Sequence, residues 1–597
     1  MNPAVPIRSH ITYNRLLLTV AGLGGLLYGI DVGIIAGALP YLEATSGLNP
    51  SQLSFIVAAV LLGSVISSLV AGVFADWLGR KNMMVVSALM FVASIPTIAL
   101  SGGFEPLFFG RLLQGLSAGL IGVVVPLYLA ECLGASNRGK GTGIFQWLLT
   151  FGFVVAGLIT LYFSYRLGAV IKLGNAAQIF LFKEHAWRNT FWVSLLPGLL
   201  FVTGSALVSE SPRWLVRRGK NAAALAALLR SRTPEQADFE LSAMQGVASA
   251  EGGRAVRGAN TKGSLLRRKY VAPFILACII LTCNQLTGIN SIIGYNTTIL
   301  LQGGLSDYQA HIGSLLFSLV NFGVTVIGVL LVDRKGRKFL LSVGSAGIIV
   351  SLVGTGILFY RTQARQVDVR QAVQSMIRPN QSLSLSFNRA TANHLLATVG
   401  KSTAGKAQSL EIIYSYGDFR SVTNLVRSNE TALPLHISRS LPGNAVAAFF
   451  ANPFGNLAAS RNAALKIDAA SISPVPSVTN GWIVAITLFL FMGFYAVGPG
   501  VCVWLALSEL MPTRIRSNGM SVALFLNTGT STVIAAVFLP MVGTYGYSTM
   551  FFAFAACTVA YFVTATFFLP ETKGKTLEQI EQHFEGTAAP AIIAATQ

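Results

Sequence analysis

Asp31 is a lone carboxylate inside an apolar run extending from Leu16 to Leu39. A run of that length is enough to cross a bilayer. A carboxylate near its centre costs about 2.5 kcal/mol or more. The chemistry such a residue offers is reversible protonation or ion binding away from bulk water. The competing assignments are an Asp neutralised by a structural partner, or one facing a wet vestibule. A second set of charges sits where apolar runs end. Asp76-Trp77-Leu78-Gly79-Arg80-Lys81 follows the second run and Asp333-Arg334-Lys335-Gly336-Arg337-Lys338 the eighth. In each, the glycine (Gly79, Gly336) permits a positive φ in a tight turn, and the Asp can cap a helix N-terminus. The basic residues of the two motifs, Arg80-Lys81 and Arg337-Lys338 among them, can pair with Glu131 and Glu509, which close the fourth and tenth runs beside Arg138 and beside Arg514 and Arg516. Such pairs can lock one face of a helical bundle; a static anchor at the membrane surface is the alternative.

The elements that must hold these residues are membrane-spanning helices. The chain has 597 residues, 53% hydrophobic and 11% charged, against about 25% charged in soluble domains. Apolar stretches of about 20 residues recur throughout, without the short alternating segments of a β-barrel. Twelve spans are expected, near 16–39, 53–74, 83–101, 106–131, 141–164, 187–208, 271–301, 308–332, 339–360, 481–507, 517–543 and 546–569. The first run is too long for a signal peptide and lacks a small-residue cleavage site, so it reads as a retained span. Cys132, Cys278, Cys283, Cys502 and Cys557 lie in or at the ends of spans without metal-ligand spacing, and read as packing residues. No metal site, cofactor site or nucleophile–base pair is expected, which argues against an enzyme.

The net charge of +20 raises nucleic-acid binding, but its placement argues otherwise. Arg80-Lys81, Arg138 with Lys140, Arg334-Lys335 with Arg337-Lys338, and Arg514 with Arg516 all fall on one side of the drawn spans. This is the positive-inside bias, and it predicts that both termini are cytoplasmic in a multi-pass plasma (inner) membrane protein. No basic–aromatic interleaving suggests a nucleic-acid groove.

The chain is internally duplicated. The Asp-x-x-Gly-Arg-Lys motif at 76 recurs at 333. The span-ending glutamates, at 131 and 509, are farther apart than the two motifs, and the excess matches the length of the polar segment at 361–480. Two six-span halves, the second carrying an insertion, place a binding site between the halves.

An ordered set of motifs then makes the chain similar to the sugar porter family of the major facilitator superfamily. The set comprises Gly25-Leu26-Leu27-Tyr28-Gly29-Ile30-Asp31, the Asp76–Lys81 motif, Gly110-Arg111, Pro126 to Glu131 with Arg138-Gly139-Lys140, and Glu210-Ser211-Pro212-Arg213-Trp214-Leu215. It continues with Gln285-Leu286-Thr287-Gly288-Ile289-Asn290, Gly498-Pro499-Gly500 with Trp504 and Glu509, and Pro570-Glu571-Thr572-Lys573-Gly574. The resemblance implies an all-α membrane protein of twelve helices in two pseudo-symmetric halves, with a large external insertion between spans 9 and 10.

It also implies a substrate site. Asn and Gln side chains donate and accept hydrogen bonds without charge, as sugar hydroxyls require. The matching positions are Gln146, Asn284, Gln285, Asn290, Asn321 and Asn527, with Tyr28 and Tyr295, and with Trp504 offering an apolar face to a sugar ring. Each has a plain alternative, since buried amides also bond neighbouring helices and a Trp near a span end is often an interface anchor. The chain departs from the family at Asn284, Phe153, Gly294-Tyr295, Thr528 and Trp77, and the first four of these bear on sugar identity. Asp31 and Arg111 fall at similar depths in spans 1 and 4, and proton-coupled members of the family carry this Asp and Arg. Burial favours the neutral acid and Arg111 the carboxylate. That competition is a means of coupling.

The expected organisation is residues 1–208 as the first half, 209–270 as a cytoplasmic linker with short helices, and 271–360 as the first three spans of the second half. An extracytoplasmic insertion at 361–480, of α+β type, separates these from 481–569, the last three spans, and 570–597 is a cytoplasmic tail. The implied function is a monomeric proton-coupled importer of a hexose, pentose or inositol, working by alternating access, with the sugar, protons and lipid as its partners. A passive uniporter and a sugar sensor are the alternatives. The tail after Glu571 is short for a receptor of this fold.

Overall fold

The computed structural model describes the chain except residues 1–6, 134, 258–267, 403–404, 424, 431–432, 440, 442–447, 449–451, 453, 512–514, 574–578, 581–582 and 585–597. Spans 1 to 5 are the helices Ile7–Thr45, Pro50–Leu78, Arg80–Ala99, Phe104–Cys132 and Ala135–Lys172. Span 6 is Ala176–Val193 continued by Leu195–Leu207, so spans 5 and 6 run on past their apolar limits as a helical hairpin. Span 6 thus begins at 176 rather than at the expected 187; Asn175 caps the added turns through the backbone N–H groups of Ala177 and Gln178.

The second half is less regular. Span 7 breaks after Arg268–Leu286 at Gly288 (φ 80°) and resumes as Ile289–Gly294 and Asn296–Gln302. Spans 8 and 9 are Asp307–Lys335 and Arg337–Gln363, and span 10 is Val478–Val497 followed, across Gly498, by Pro499–Leu510. Spans 11 and 12 are one helical run, Arg516–Val563, interrupted at Gly546 (φ 82°). Proline at 499 removes a helical N–H and opens a joint, and a positive φ makes glycine the favoured residue at 288 and 546.

Small residues set the distance between spans 1 and 5. A Cβ at Gly29 would stand 1.9 Å from the Leu149 carbonyl oxygen, and one at Gly25 would stand 2.3 Å from that of Phe145. Together with Gly33 and Gly37 they form a stripe at four-residue spacing, the device that lets membrane helices approach closely. This contact fixes the face of span 1 that carries Asp31.

Three short helices, Pro212–Arg217, Asn221–Leu229 and Pro234–Arg257, follow span 6. The segment between spans 9 and 10 is an α+β unit. Its strands are β1 Val367–Asp368, β2 Leu383–Leu385, β3 Gln408–Tyr416, β4 Phe419–Val422, β5 Val426–Arg427, β6 Leu435–Ile437 and β7 Leu465–Pro474. The main antiparallel sheet has order β1-β7-β3-β4 with β5 also on β3, and β2 pairs β6 separately. The register sets Leu410 opposite Ile472 and Ile412 opposite Ala470, and these four are buried in the unit's own core. Alternation along the strand turns Ser409, Glu411 and Ile413 to the other face, which lines a cavity of about 360 Å³ against the span ends. Arg427 fastens the unit, donating to the Leu301 carbonyl and, at 3.5 Å, to that of Leu305.

Candidate functional site

Asp31 and Arg111 meet inside the first half. Arg111 Nη1 lies 3.3 Å from Asp31 Oδ1, and the Asp31 and Arg111 side chains are 0% and 1% exposed. The same Nη1 donates to Gln114 Oε1 at 2.6 Å, and the guanidinium lies 5.7 Å from the Phe191 ring centroid. Among the described residues, Asp31 Oδ2 and Arg111 Nε have no hydrogen-bond partner. A buried carboxylate with an unsatisfied oxygen bears an uncompensated desolvation cost, and taking up a proton relieves that cost.

An amide cluster joins spans 7 and 11 in the second half. Gln285 Nε2 donates to Asn527 Oδ1 at 3.1 Å, and Asn290 Nδ2 donates to Gln285 Oε1 at 2.9 Å and to Ser531 Oγ at 2.7 Å. Asn284 Nδ2 reaches the Tyr495 hydroxyl at 3.4 Å. The break at Gly288 lets Gln285 and Asn290 turn toward one another. Asn321 is buried and shares a small cavity with Gly33, Phe153 and Asn296. Gln146 is exposed, on a helix whose Trp147 and Phe151 pack on Phe322 of span 8. Tyr28 is half-buried. Tyr295 is fully buried and donates its hydroxyl toward Ser54 of span 2 and the Ala535 carbonyl. Arg514 lies outside the described residues, as do the side chains of Trp504, Arg138, Asp333 and Arg516.

At the end of the bundle where span 1 begins and span 12 ends, the duplicated motifs build matching networks. Arg80 pairs with Asp76 at 2.7 Å and with Glu131 Oε2 at 2.9 Å, and Ser211 donates to the same Glu131 oxygen. Arg337 pairs with Glu509 at 3.0 Å, and Thr572 donates to Glu509 at 2.5 Å. The expectation that the motif Asp caps a helix is corrected at Asp76, which is bound four residues on to Arg80. Span 3 is capped instead by Glu210, whose Oε1 accepts the backbone N–H groups of Arg80 and Lys81 at 2.9 and 3.0 Å. Glu571 caps span 9 likewise, its Oε1 accepting the Arg337 backbone N–H at 3.1 Å and its Oε2 that of Lys338 at 3.2 Å. A carboxylate across a helix N-terminus satisfies orphan donors and the macrodipole together. Gly79 and Gly336 have φ of 97° and 88°.

Residues 17–377 and 454–584 match the family described as sugar (and other) transporter. The chain belongs to that family. It is the sugar porter branch of the major facilitator superfamily, a family of transporters rather than enzymes. The chain is 26% identical over 574 residues to a glucose transporter of Staphylococcus epidermidis, covering 95% of this chain and 97% of that one. It is 30% identical over 363 residues to an arabinose-proton symporter of Bacillus subtilis, covering 60% and 75%. The fold matches the xylose transporter XylE from E. coli in a partially occluded inward open conformation, with TM-score 0.63, 20% identity and coverage of 95% and 100%. The stretch between the two family matches, 378–453, falls within the inserted unit.

Gln114, Ser531, Glu210 and Glu571 are among the site residues that escaped the sequence reading. Gln114 follows Arg111 by three positions and Ser531 follows Asn527 by four, so each shares a helix face with its neighbour, and that spacing was a usable signal. Glu210 and Glu571 stand in the quoted motifs, but the helix ends they cap lie in a distant part of the chain.

Proposed function

We propose that this sugar transporter is a proton-coupled symporter that imports a monosaccharide or polyol across the plasma membrane by alternating access. The observation that carries the reading is the fully buried Asp31–Arg111 pair with Asp31 Oδ2 unpartnered. The amides of Asn284, Gln285, Asn290, Asn321 and Asn527, with Gln146, Tyr28, Tyr295 and Trp504, bind the sugar. A proton on Asp31 removes the charge that holds Arg111, and Arg111 retains Gln114 and the Phe191 face. That frees span 1 to move against span 4, and loss of the proton restores the pair. Asp76, Arg80, Glu131, Arg138, Asp333, Arg337, Glu509, Arg514 and Arg516 form the gate at the end where span 1 begins and span 12 ends, the cytoplasmic side by the positive-inside rule. The relatives named as a glucose transporter and an arabinose-proton symporter support the substrate class and the coupling.

The test is uptake of labelled glucose, galactose, xylose and myo-inositol into proteoliposomes, with and without an inward proton gradient. Concentrative uptake collapsed by a protonophore is expected, and Asp31→Asn should only equilibrate. Uptake by the wild-type chain that merely equilibrates makes the protein a uniporter and Asp31 structural.

A further inference from the structure

The two halves meet at the bundle end that carries the inserted unit, and a buried histidine sits in that junction. His311, on span 8 of the second half, is 0% exposed. Its Nδ1 lies 2.8 Å from the Asp307 carbonyl oxygen and its Nε2 lies 3.2 Å from the carbonyl oxygen of Gly37 on span 1. Both partners are pure acceptors. A neutral imidazole carries one N–H and can serve only one of them; the imidazolium carries two and serves both. The Asp307 carboxylate supplies a counter-charge, with Oδ2 3.6 Å from Nδ1. That Oδ2 also accepts the Tyr41 hydroxyl of span 1 at 2.9 Å and the Ser164 hydroxyl of span 5. Every bond in this set except the two within span 8 crosses between halves.

We propose that His311 is a second proton-binding site, and that its protonated form clamps shut the end of the cleft that faces the inserted unit. With the proton present, the ring bridges span 8 to span 1 and balances Asp307. Without it, one ring nitrogen turns a lone pair toward a carbonyl oxygen it can no longer bond, and the half-buried Asp307 loses its counter-charge, so the junction is weakened where it must part for the cleft to open. The other groups facing the ring leave this assignment intact. Tyr41 stacks on it with centroids 5.5 Å apart, Glu43 follows Tyr41 on span 1, and Tyr165 of span 5 packs on Tyr308. The helix Asn296–Gln302 and the near end of span 10 contribute no charged residue. Closing on a proton taken from the side the sugar enters orders the two events, because the cleft shuts behind its cargo once the proton has arrived.

This deepens the symport reading but is measured as conformation, so it fails separately from uptake. Spin labels at Lys172→Cys and Val478→Cys, both exposed and on opposite halves, report the separation of the halves in the full chain with its five native cysteines replaced. Asp31→Asn is included to remove the other proton site. The ratio of short to long distances should rise at least threefold from pH 8 to pH 5.5. Adding His311→Gln should flatten that curve, and Asp307→Asn should move it to lower pH. A curve unchanged by His311→Gln overturns the proposal. Should that variant not fold, the labelled wild-type chain with ¹⁵N-histidine carries the test: one imidazolium signal must rise in step with the short-distance population. Absence of such a signal among the six histidines overturns it equally.

Discussion

Asp31 has one oxygen committed and one free, and Arg111 divides a single nitrogen between Asp31 and Gln114. Gln114 therefore competes with Asp31 for the guanidinium. Gln114→Leu should leave Arg111 more fully to the carboxylate and make protonation harder. The expected result is a shift of half-maximal proton-driven uptake to lower pH, with sugar KM at saturating proton unchanged. In the amide cluster Asn290 holds both Gln285 and Ser531. Asn290→Ala removes two hydrogen bonds, each worth about 1 kcal/mol net, and disorients Gln285, so sugar KM should rise about tenfold, measurable by exchange transport under zero gradient. At this scale the sequence disclosed residue types and depth but not partners. Asp31 was conspicuous because its neighbours are apolar, and Arg111 was placed with it by counting helical rise. Asn296 was missed: both its amide atoms are buried and, among the described residues, unpartnered, and it lies beyond the break in span 7, where helical spacing from Asn290 no longer says which way a side chain points.

Spans were legible because hydropathy sees their lipid-facing surfaces, and the duplication was legible because one motif recurs whole in the second half. The hairpin that prolongs spans 5 and 6 was not, because residues such as Lys172, Lys183 and His185 are polar and end the hydropathy signal before the helices end. The caps on spans 3 and 9 were hidden by sequence distance. Their consequence is specific. At Gly79 a Cβ would meet Glu210 Oε2 at 2.2 Å, on a backbone with φ 97°. Gly79→Ala should combine strain of about 1–3 kcal/mol with loss of a cap of about 1 kcal/mol. Gly47 also has a positive φ, 66°, but faces open space. Gly47→Ala should cost only the conformational term of about 1–2 kcal/mol. Thermal unfolding of the two variants in detergent distinguishes them, and Glu210→Ala should account for the difference. Equal losses at the two glycines would mean that Glu210 does not hold the turn.

Across the whole molecule, the inserted unit is tied to both the span ends and the cavity beneath it. Its α+β character was visible as mixed polarity with apolar patches, but its seat was not, because the face of β3 that meets the spans reads as an ordinary solvent face: Ser409, Glu411, Ile413. Burial there pushes the Glu411 carboxyl up to about 7, from an ordinary value near 4.3. The seated unit therefore holds a proton that the unfolded chain releases. Stability from this group is fully present below about pH 4.3, declines as pH rises toward 7, and is level above. The unit should be better seated at pH 5.5 than at pH 8. Hydrogen exchange of β3 and β7, corrected for intrinsic rates, should show greater protection at the lower pH, and Glu411→Gln should raise protection at pH 8 and flatten the difference. Arg427→Ala should act differently, lowering protection at both pH values, because its bonds to Leu301 and Leu305 do not depend on that proton. His311 is proposed to take up a proton at the same end of the bundle, so the comparison that decides is Glu411→Gln against wild type at each pH. If the two curves coincide, the carboxylate is wetted through the cavity, and the inserted unit rests on the span ends through Arg427 and apolar contact alone.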